Sequence, residues 1–444
     1  MLRSVTVLVG LFGLSWDVRA NPNSVVAGGR DPDAEDAGYA QKSVNVFTEI
    51  DYAYELDTSQ LVRERLGPGA DPLQPVPTIR DLDFKQVRHT ITPRLEVGVY
   101  HDWFVTAALP IIIGQQRELT LTDGVDRAGS TTVTDGLLPA GGFDAHDPST
   151  PTTGDLLFRS PTRSGLDQVH LGLGVALMNQ AKDDTKPTWK LGAEIRLAIG
   201  QIMAFDPMQP DANKGVSRGV HELKVYTSFA RKLGWAEPWV ELYWLTPVAA
   251  KTDSLFQDPG FGATNTELSQ HGAIAAGIEL YALDNTADDT RISLDFGAKA
   301  DLHFEGREYT EMWEAFAYAG DSRGMGPLIL DSDPTVTGVQ PLSHPGISNV
   351  ENYLETSGRL ALRAQIGPHV RFAVTGDLVW KTDHTITFAD AGVAIPGVGN
   401  DDLVDPGTQE INPLHVDAVD LVGHRYRSVN NFDVVVGVQG QVLF

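Results

Sequence analysis

Residues 431–444 read Asn-Phe-Asp-Val-Val-Val-Gly-Val-Gln-Gly-Gln-Val-Leu-Phe, and their side chains sort by parity. One parity carries Phe432, Val434, Val436, Val438, Gly440, Val442 and Phe444; the other carries Asp433, Val435, Gly437, Gln439, Gln441 and Leu443. Successive side chains of a strand point to opposite faces, so this pattern predicts a strand with one apolar and one mostly polar face. Comparable alternation recurs at residues 44–55, 88–100, 103–121, 167–178, 189–202, 222–231, 239–248, 273–283, 291–304, 353–366 and 370–382, making twelve segments. In 88–100, for example, Ile91, Pro93, Leu95, Val97 and Val99 oppose Arg88, Thr92, Arg94 and Glu96.

The gaps between segments carry the next step. Long polar gaps at 57–81, 122–164, 206–218, 251–269, 305–350 and 383–430 alternate with short turns at 101–102, 182–186, 232–234, 284–290 and 367–369. Every short connection therefore falls at one end of the strands and every long one at the other. That is the connectivity of an up-and-down barrel, and an even strand count returns both chain ends to the short-turn side. A secreted β-sandwich or β-helix also alternates. It has no reason to sort its loops by length, however, and its strands are usually shorter, about 5–6 residues, where a tilted membrane strand needs about 9–11. The reading is an all-β protein: an up-and-down antiparallel transmembrane β-barrel of about twelve strands over residues 44–444, with short periplasmic turns and long extracellular loops.

The N-terminus adds an address. Met1-Leu2-Arg3 starts positive, residues 5–16 form a short apolar run, and Val18-Arg19-Ala20 places small residues before a break at Asn21. This predicts a secretory signal peptide over residues 1–20, cleaved near Ala20, because the run is too short for a spanning helix of about 20 residues. Residues 21–43 then form an N-terminal periplasmic segment and a possible plug, and the long loop at 305–350 is a second candidate plug. The expected location is the bacterial outer membrane of a Gram-negative cell, with outer-membrane lipid and lipopolysaccharide as surroundings.

Charge separates the two faces. The outward parity carries almost none, as a lipid-facing surface requires. The inward parity collects Arg94, Glu96, Glu194, Arg196, Lys224, Glu241, Asp295, Lys299, Arg359, Arg363, Arg371 and Asp377 as candidate lumen-lining residues. Their signs nearly cancel, whereas an ion-selective pore would show a ring of one sign. Two readings stay open: cross-strand ion pairs around a narrow or partly plugged lumen, or charges that merely fill a small barrel. Tryptophans Trp103 and Trp189 begin strands beside short turns on the outward parity, where an aromatic girdle belongs. Trp239 sits at the same level on the inward parity, so either the register slips there or that ring faces the lumen.

Net charge is −25, which excludes a nucleic-acid partner, since phosphate binding needs a basic surface. The excess lies in the loops, at Asp135, Asp144, Asp147 and Asp155, at Asp321, Asp331 and Asp333, and at Asp390, Asp401, Asp402 and Asp405. Such carboxylates either hold divalent cations at a lipopolysaccharide surface or are simply solvated. No calcium-loop spacing is present, and there is no His-Glu-x-x-His, phosphate-binding glycine loop or Gly-x-Ser-x-Gly. The absence of cysteine removes disulfides, thiolate metal sites and a thiol nucleophile. His221 with Glu222, and Asp144 with His146, come nearest to a catalytic pair, but the first two point to opposite faces and the second two lie in a loop. His89 and His101 read as membrane-interface residues. The expectation is no enzyme, no catalytic residue, no metal and no cofactor.

Residues 90–111, Thr-Ile-Thr-Pro-Arg-Leu-Glu-Val-Gly-Val-Tyr-His-Asp-Trp-Phe-Val-Thr-Ala-Ala-Leu-Pro-Ile, form a hairpin with a Leu-Pro end. Residues 165–177, Gly-Leu-Asp-Gln-Val-His-Leu-Gly-Leu-Gly-Val-Ala-Leu, follow as a glycine-punctuated strand. In these two stretches the chain resembles the outer-membrane barrels of the phenol-degradation meta-pathway transporter family. The resemblance implies a channel or transporter for small solutes, often hydrophobic or aromatic. Phe444 likewise resembles the terminal aromatic signal read by the barrel-assembly machinery. The competing reading is a structural or surface-interaction barrel acting through its acidic extracellular loops.

Overall fold

A computed structural model describes residues 45–66, 74–100, 102–180, 182–256, 260–264, 267–285, 288–324, 326–333, 335–399 and 403–443. The expected signal peptide at 1–20, the segment 21–43, His101, Asp401, Asp402 and Phe444 lie outside the described residues.

Twelve antiparallel strands close into one barrel. They are β1 Asn45–Glu64, β2 Thr78–Tyr100, β3 in two pieces Trp103–Ala108 and Ile111–Leu121, and β4 Gln168–Met178. There follow β5 Thr188–Ala198, β6 Val220–Ala230, β7 Ala236–Ala250 and β8 His271–Asn285. The last four are β9 Thr290–His303, β10 Tyr353–Ile366, β11 Val370–Lys381 and β12 Tyr426–Leu443. Each pairs with its sequence neighbour, and β12 pairs back onto β1 with Phe47 opposite Leu443. Closure removes the unpaired edges that an open sheet would leave. Both described chain ends lie at the short-turn end, as an even count demands.

The outward face is an apolar belt. Leu95, Val105, Leu173, Ile195, Val225, Leu242, Ile274, Phe296, Leu360 and Val374 all project exposed from successive strands. Trp103 is exposed at the short-turn end, and Trp189 stacks on Phe229 with its indole N–H donated to Thr227 Oγ1 at 2.9 Å. Trp239 keeps its inward parity, so there is no register slip. It is buried, donates Nε1–H to Asp295 Oδ1 at 3.0 Å, and lies against two glycines. A Cβ at Gly277 would stand 2.3 Å from the Phe296 carbonyl oxygen and 2.6 Å from the indole, so that position has no room for a side chain.

The largest departures from the alternation concern the first three strands and the last. The gap expected at 57–81 is strand at both its ends, because β1 runs on to Glu64 and β2 begins at Thr78. Beyond the belt the pattern inverts: Lys85 faces outward and exposed, while Leu61, Leu82 and Phe84 point inward and are buried. Alternation read as apolar-outside therefore ends where the outer surface becomes wet. The third strand breaks at Leu109 and Pro110, where proline cannot donate to a ladder. β12 starts at Tyr426 rather than Asn431, carried through a kink at Asn430, whose φ of 53° asparagine tolerates better than most residues.

Candidate functional site

The barrel interior divides into two layers. From the short-turn end up to Asp301, Glu355 and Lys381 near the long-loop ends of their strands it carries a network of ion pairs. All twelve charged residues named from the sequence fall on the inward parity, and most are joined across strands. Arg94 meets Glu49 at 3.5 Å, and Glu96 is buried beside them. Arg196 meets Glu194 at 2.9 Å, and Lys224 meets Glu241 at 3.8 Å. Arg363 reaches Asp295 at 2.8 Å and Glu279 at 3.3 Å. Arg359 grips Asp377 through two nitrogens at 2.5 and 2.7 Å. Lys299 bridges Asp301 at 3.1 Å and Glu355 at 3.0 Å, and Arg371 donates Nε–H to Gln365 Oε1 at 3.0 Å. Opposite charges directly across neighbouring strands neutralise each other, so the interior presents no ring of one sign.

Sequence reading missed Glu55, Asp57 and Glu355, though it placed Arg88, Lys381 and Asp433 on the polar parity. Glu55 pairs with Arg88, and Lys381 meets Asp433 at 2.9 Å and Asp57 at 3.4 Å. Glu355 lies four residues before Arg359 and so shares its face; continuing the two-residue period would have found it. Asp57 lay in the stretch read as a gap.

Toward the long loops the interior turns apolar. Inward Leu61, Leu82, Phe84, Leu119, Leu121 and Tyr426 meet Leu137, Phe143, Leu157 and Phe158 from the loop between β3 and β4, together with Met312, Phe316 and Leu328 from the loop between β9 and β10. The expectation of a mostly wet inner face holds only for the other layer. At the centre lies a short helix, Trp313–Ala319, within the segment proposed as a plug. Its Trp313 and Phe316 are fully buried, and the Arg117 and Arg163 guanidinium groups sit 5.7 and 4.9 Å from the Trp313 ring.

Arg163 fixes the helix. It donates Nε–H and Nη2–H to Glu314 Oε1 at 3.1 and 2.8 Å, and its remaining protons go to the carbonyls of Ala204, Asn213 and Gly215. The two side chains are only 1% and 3% exposed, so each other, these carbonyls and the Trp313 ring take the place of water. Arg117 adds a bond to the Thr310 carbonyl at 3.0 Å, and Tyr309 donates its hydroxyl to the Met203 carbonyl at 2.9 Å. Burial raises the Tyr309 hydroxyl above its ordinary range and pushes the His344 imidazole down to about 3, with Arg307 nearby acting in the same direction. Neutral His344 accepts the Gly346 N–H on Nδ1 at 2.9 Å, a bond the protonated ring could not accept.

The loop carboxylates are partly paired. Asp135 meets Arg63 at 2.7 Å, Asp144 meets Arg159 at 2.9 Å, and Arg323 joins Asp206 and Asp321. Hydrogen bonding to Arg323 holds Asp206 below its usual value. Glu222 points inward to Arg218, whereas His221 accepts the Ala198 N–H, confirming opposite roles for this adjacent pair. Asp144 and His146 do approach, at 3.3 Å, with Thr162 Oγ1 3.1 Å from the far ring nitrogen. The approach follows from a local turn in which Asp144 Oδ1 accepts the His146 backbone N–H at 2.9 Å, and Arg159 already neutralises the carboxylate.

No known family profile matches this chain, and no curated protein does. Among solved structures it is similar to an outer-membrane channel of Pseudomonas putida, at a TM-score of 0.39 and 8% identity over 89% of this chain and 95% of that one. It is also similar to a FadL homologue of Pseudomonas aeruginosa, at a TM-score of 0.31 and 8% identity over 90% of each. A third similar structure is the outer-membrane protease OmpT of Escherichia coli, at a TM-score of 0.28 and 8% identity over 91% of this chain and 99% of that one.

Proposed function

We propose that this chain is a bacterial outer-membrane channel or transporter for small solutes, closed at its long-loop end by its own inward-folded loop. The observation that carries the reading is the combination of faces: a closed sheet with an apolar belt outside, and inside it a charged layer capped by the helix Trp313–Ala319. A closed sheet satisfies every backbone group internally, and a broad exposed apolar surface calls for lipid rather than water. Charged side chains on the inner face give a water-filled passage something to wet once the loop moves.

The solute is a small hydrophobic or aromatic compound. This finer reading rests on the resemblance of residues 90–111 and 165–177 to the phenol-degradation meta-pathway family, and the apolar lining at Leu61, Phe84, Leu119 and Phe316 agrees with it. Export by a signal peptide cleaved near Ala20, assembly through Phe444 and contact with lipopolysaccharide complete the proposal. The protein's work on this reading is passage rather than catalysis.

A structural or surface-interaction barrel is the second reading, favoured by the extent to which ion pairs and loop side chains fill the interior. Single-channel recording of the refolded protein in a planar bilayer separates the two. Discrete open steps, with blockade by added small aromatic solutes, support the channel. Silence from a correctly folded barrel, before and after loosening of the loop, supports the structural role.

A further inference from the structure

Three potential metal ligands meet on the inner face where β8 and β9 approach the long loops. His271 stands directly opposite His303 across the β8–β9 ladder, and Asp301 lies two residues before His303 on the same face. One donor atom from each of the three lies within 4.8 Å of the other two. Residues opposite each other or two apart on paired strands are held by the sheet itself, so this grouping depends on no loop.

Ring contacts, edge-on between His271 and His303 and stacked beyond, explain part of the arrangement. His271, His303, Tyr353 and His384 form a row with centroids 3.9, 4.2 and 4.2 Å apart. Stacking does not explain the polar edges. Nε2 of His271, Nε2 of His303 and Oδ1 of Asp301 are all buried without a hydrogen-bond partner, in side chains that for His303 and Asp301 are 8% and 3% exposed. Unpartnered buried nitrogens and carboxylate oxygens carry a desolvation cost that a bound cation would remove.

The surroundings are those of a ligand set. Tyr243 donates its hydroxyl to Asp301 Oδ2 at 2.5 Å and Lys299 reaches the same oxygen at 3.1 Å, which holds the carboxylate and leaves Oδ1 free. Glu355 stands 3.7 Å from His303 Nε2. Lys299 also pairs with Glu355 at 3.0 Å, which leaves Asp301 Oδ1 as the unpartnered carboxylate oxygen of the group. Above the site, residues 268 and 307 bridge, and Gly306 packs against the backbone of Ser269.

We propose that His271, His303 and Asp301 bind a divalent transition cation of the zinc class, with the fourth position open to water or solute. Imidazole and carboxylate donors suit such ions, and three protein ligands leave one coordination position free. Tetrahedral binding brings ligand atoms to about 3.3 Å from one another, against the 4.8 Å within which the three donors lie here. Tyr243 acts as a positioning residue through Asp301.

The test is Co²⁺ titration of the folded barrel in detergent, followed by visible absorption and competition with Zn²⁺. One equivalent should bind with an intense visible band that Zn²⁺ abolishes. His271→Gln with His303→Gln should erase it, and Tyr243→Phe should weaken binding about tenfold or more. His146→Gln, at a loop histidine, should change nothing. Asp301→Asn serves as a further variant if the double histidine variant loses the heat-modifiable gel mobility of a folded barrel. Absence of a one-equivalent site in the wild type, or its persistence in the folded variants at His271, His303 or Asp301, overturns the proposal.

Discussion

Replacing Arg163 by alanine should loosen the helix that caps the interior, and the size of the effect can be worked out. The substitution leaves the Glu314 carboxylate buried without its cation and strips three carbonyls of their donors. Breaking a buried pair by removing one partner costs about 3–5 kcal/mol. Against this stands the burial of Met312, Trp313 and Phe316, each 0% exposed, which holds the helix in place with about 1.5–3 kcal/mol per side chain. Hydrophobic burial therefore outweighs the lost pair, and Arg163→Ala alone should raise the released population about 10²- to 10⁴-fold without making it dominant. Brief openings are expected in bilayer recordings. Adding Phe316→Ala removes about a further 3–5 kcal/mol and should convert these into sustained conductance. The two sites touch one helix, so their effects need not add, and the single variants should be recorded beside the double. A correctly folded Arg163→Ala/Phe316→Ala protein with the wild-type trace would refute the reasoning that this helix closes the passage.

Leu360→Arg tests membrane residence: at an outward belt position it should cost about 2–4 kcal/mol near the bilayer midplane, read by unfolding from lipid vesicles, whereas a water-facing surface would change by only about 0.5 kcal/mol. His344 predicts acid sensitivity of the capping loop. Its folded pKa, about 3, lies below the ordinary 6.5, so the unfolded loop binds the extra proton between those values and stability falls as pH drops from about 6.5 toward 3. Limited proteolysis across that range should show cleavage within 305–350 rising at low pH and a flatter profile in His344→Gln; identical profiles would refute it. Trp239→Phe should destabilise the barrel by about 1–3 kcal/mol in urea, because buried Asp295 loses one donor while keeping Arg363.

The alternation along the chain determined the barrel. Period-two patterning and loops sorted by length suffice to set strand number, order and facing, because each strand pairs with its sequence neighbours and a one-residue slip would turn charge toward the belt. Hence the inward parity of residues such as Arg359 and Asp295 was legible, as was the inward parity of Trp239. The pattern failed where its physical cause ends. Beyond the belt the outer surface is wet and the interior dry, so Leu61, Leu82 and Phe84 reverse the rule and the ends of β1 and β2 read as loop. Only the tertiary structure decided which charges meet. Arg163 and Glu314 are separated by 151 positions, and no local period brings a helix of one loop against an arginine in the connection between β3 and β4. The same holds for His271 opposite His303: parity faces both inward, but only the β8–β9 register makes them neighbours and sets Asp301 beside them. Local sequence encodes which face a side chain occupies; strand register and loop packing decide its company, because those depend on contacts between distant parts of the chain.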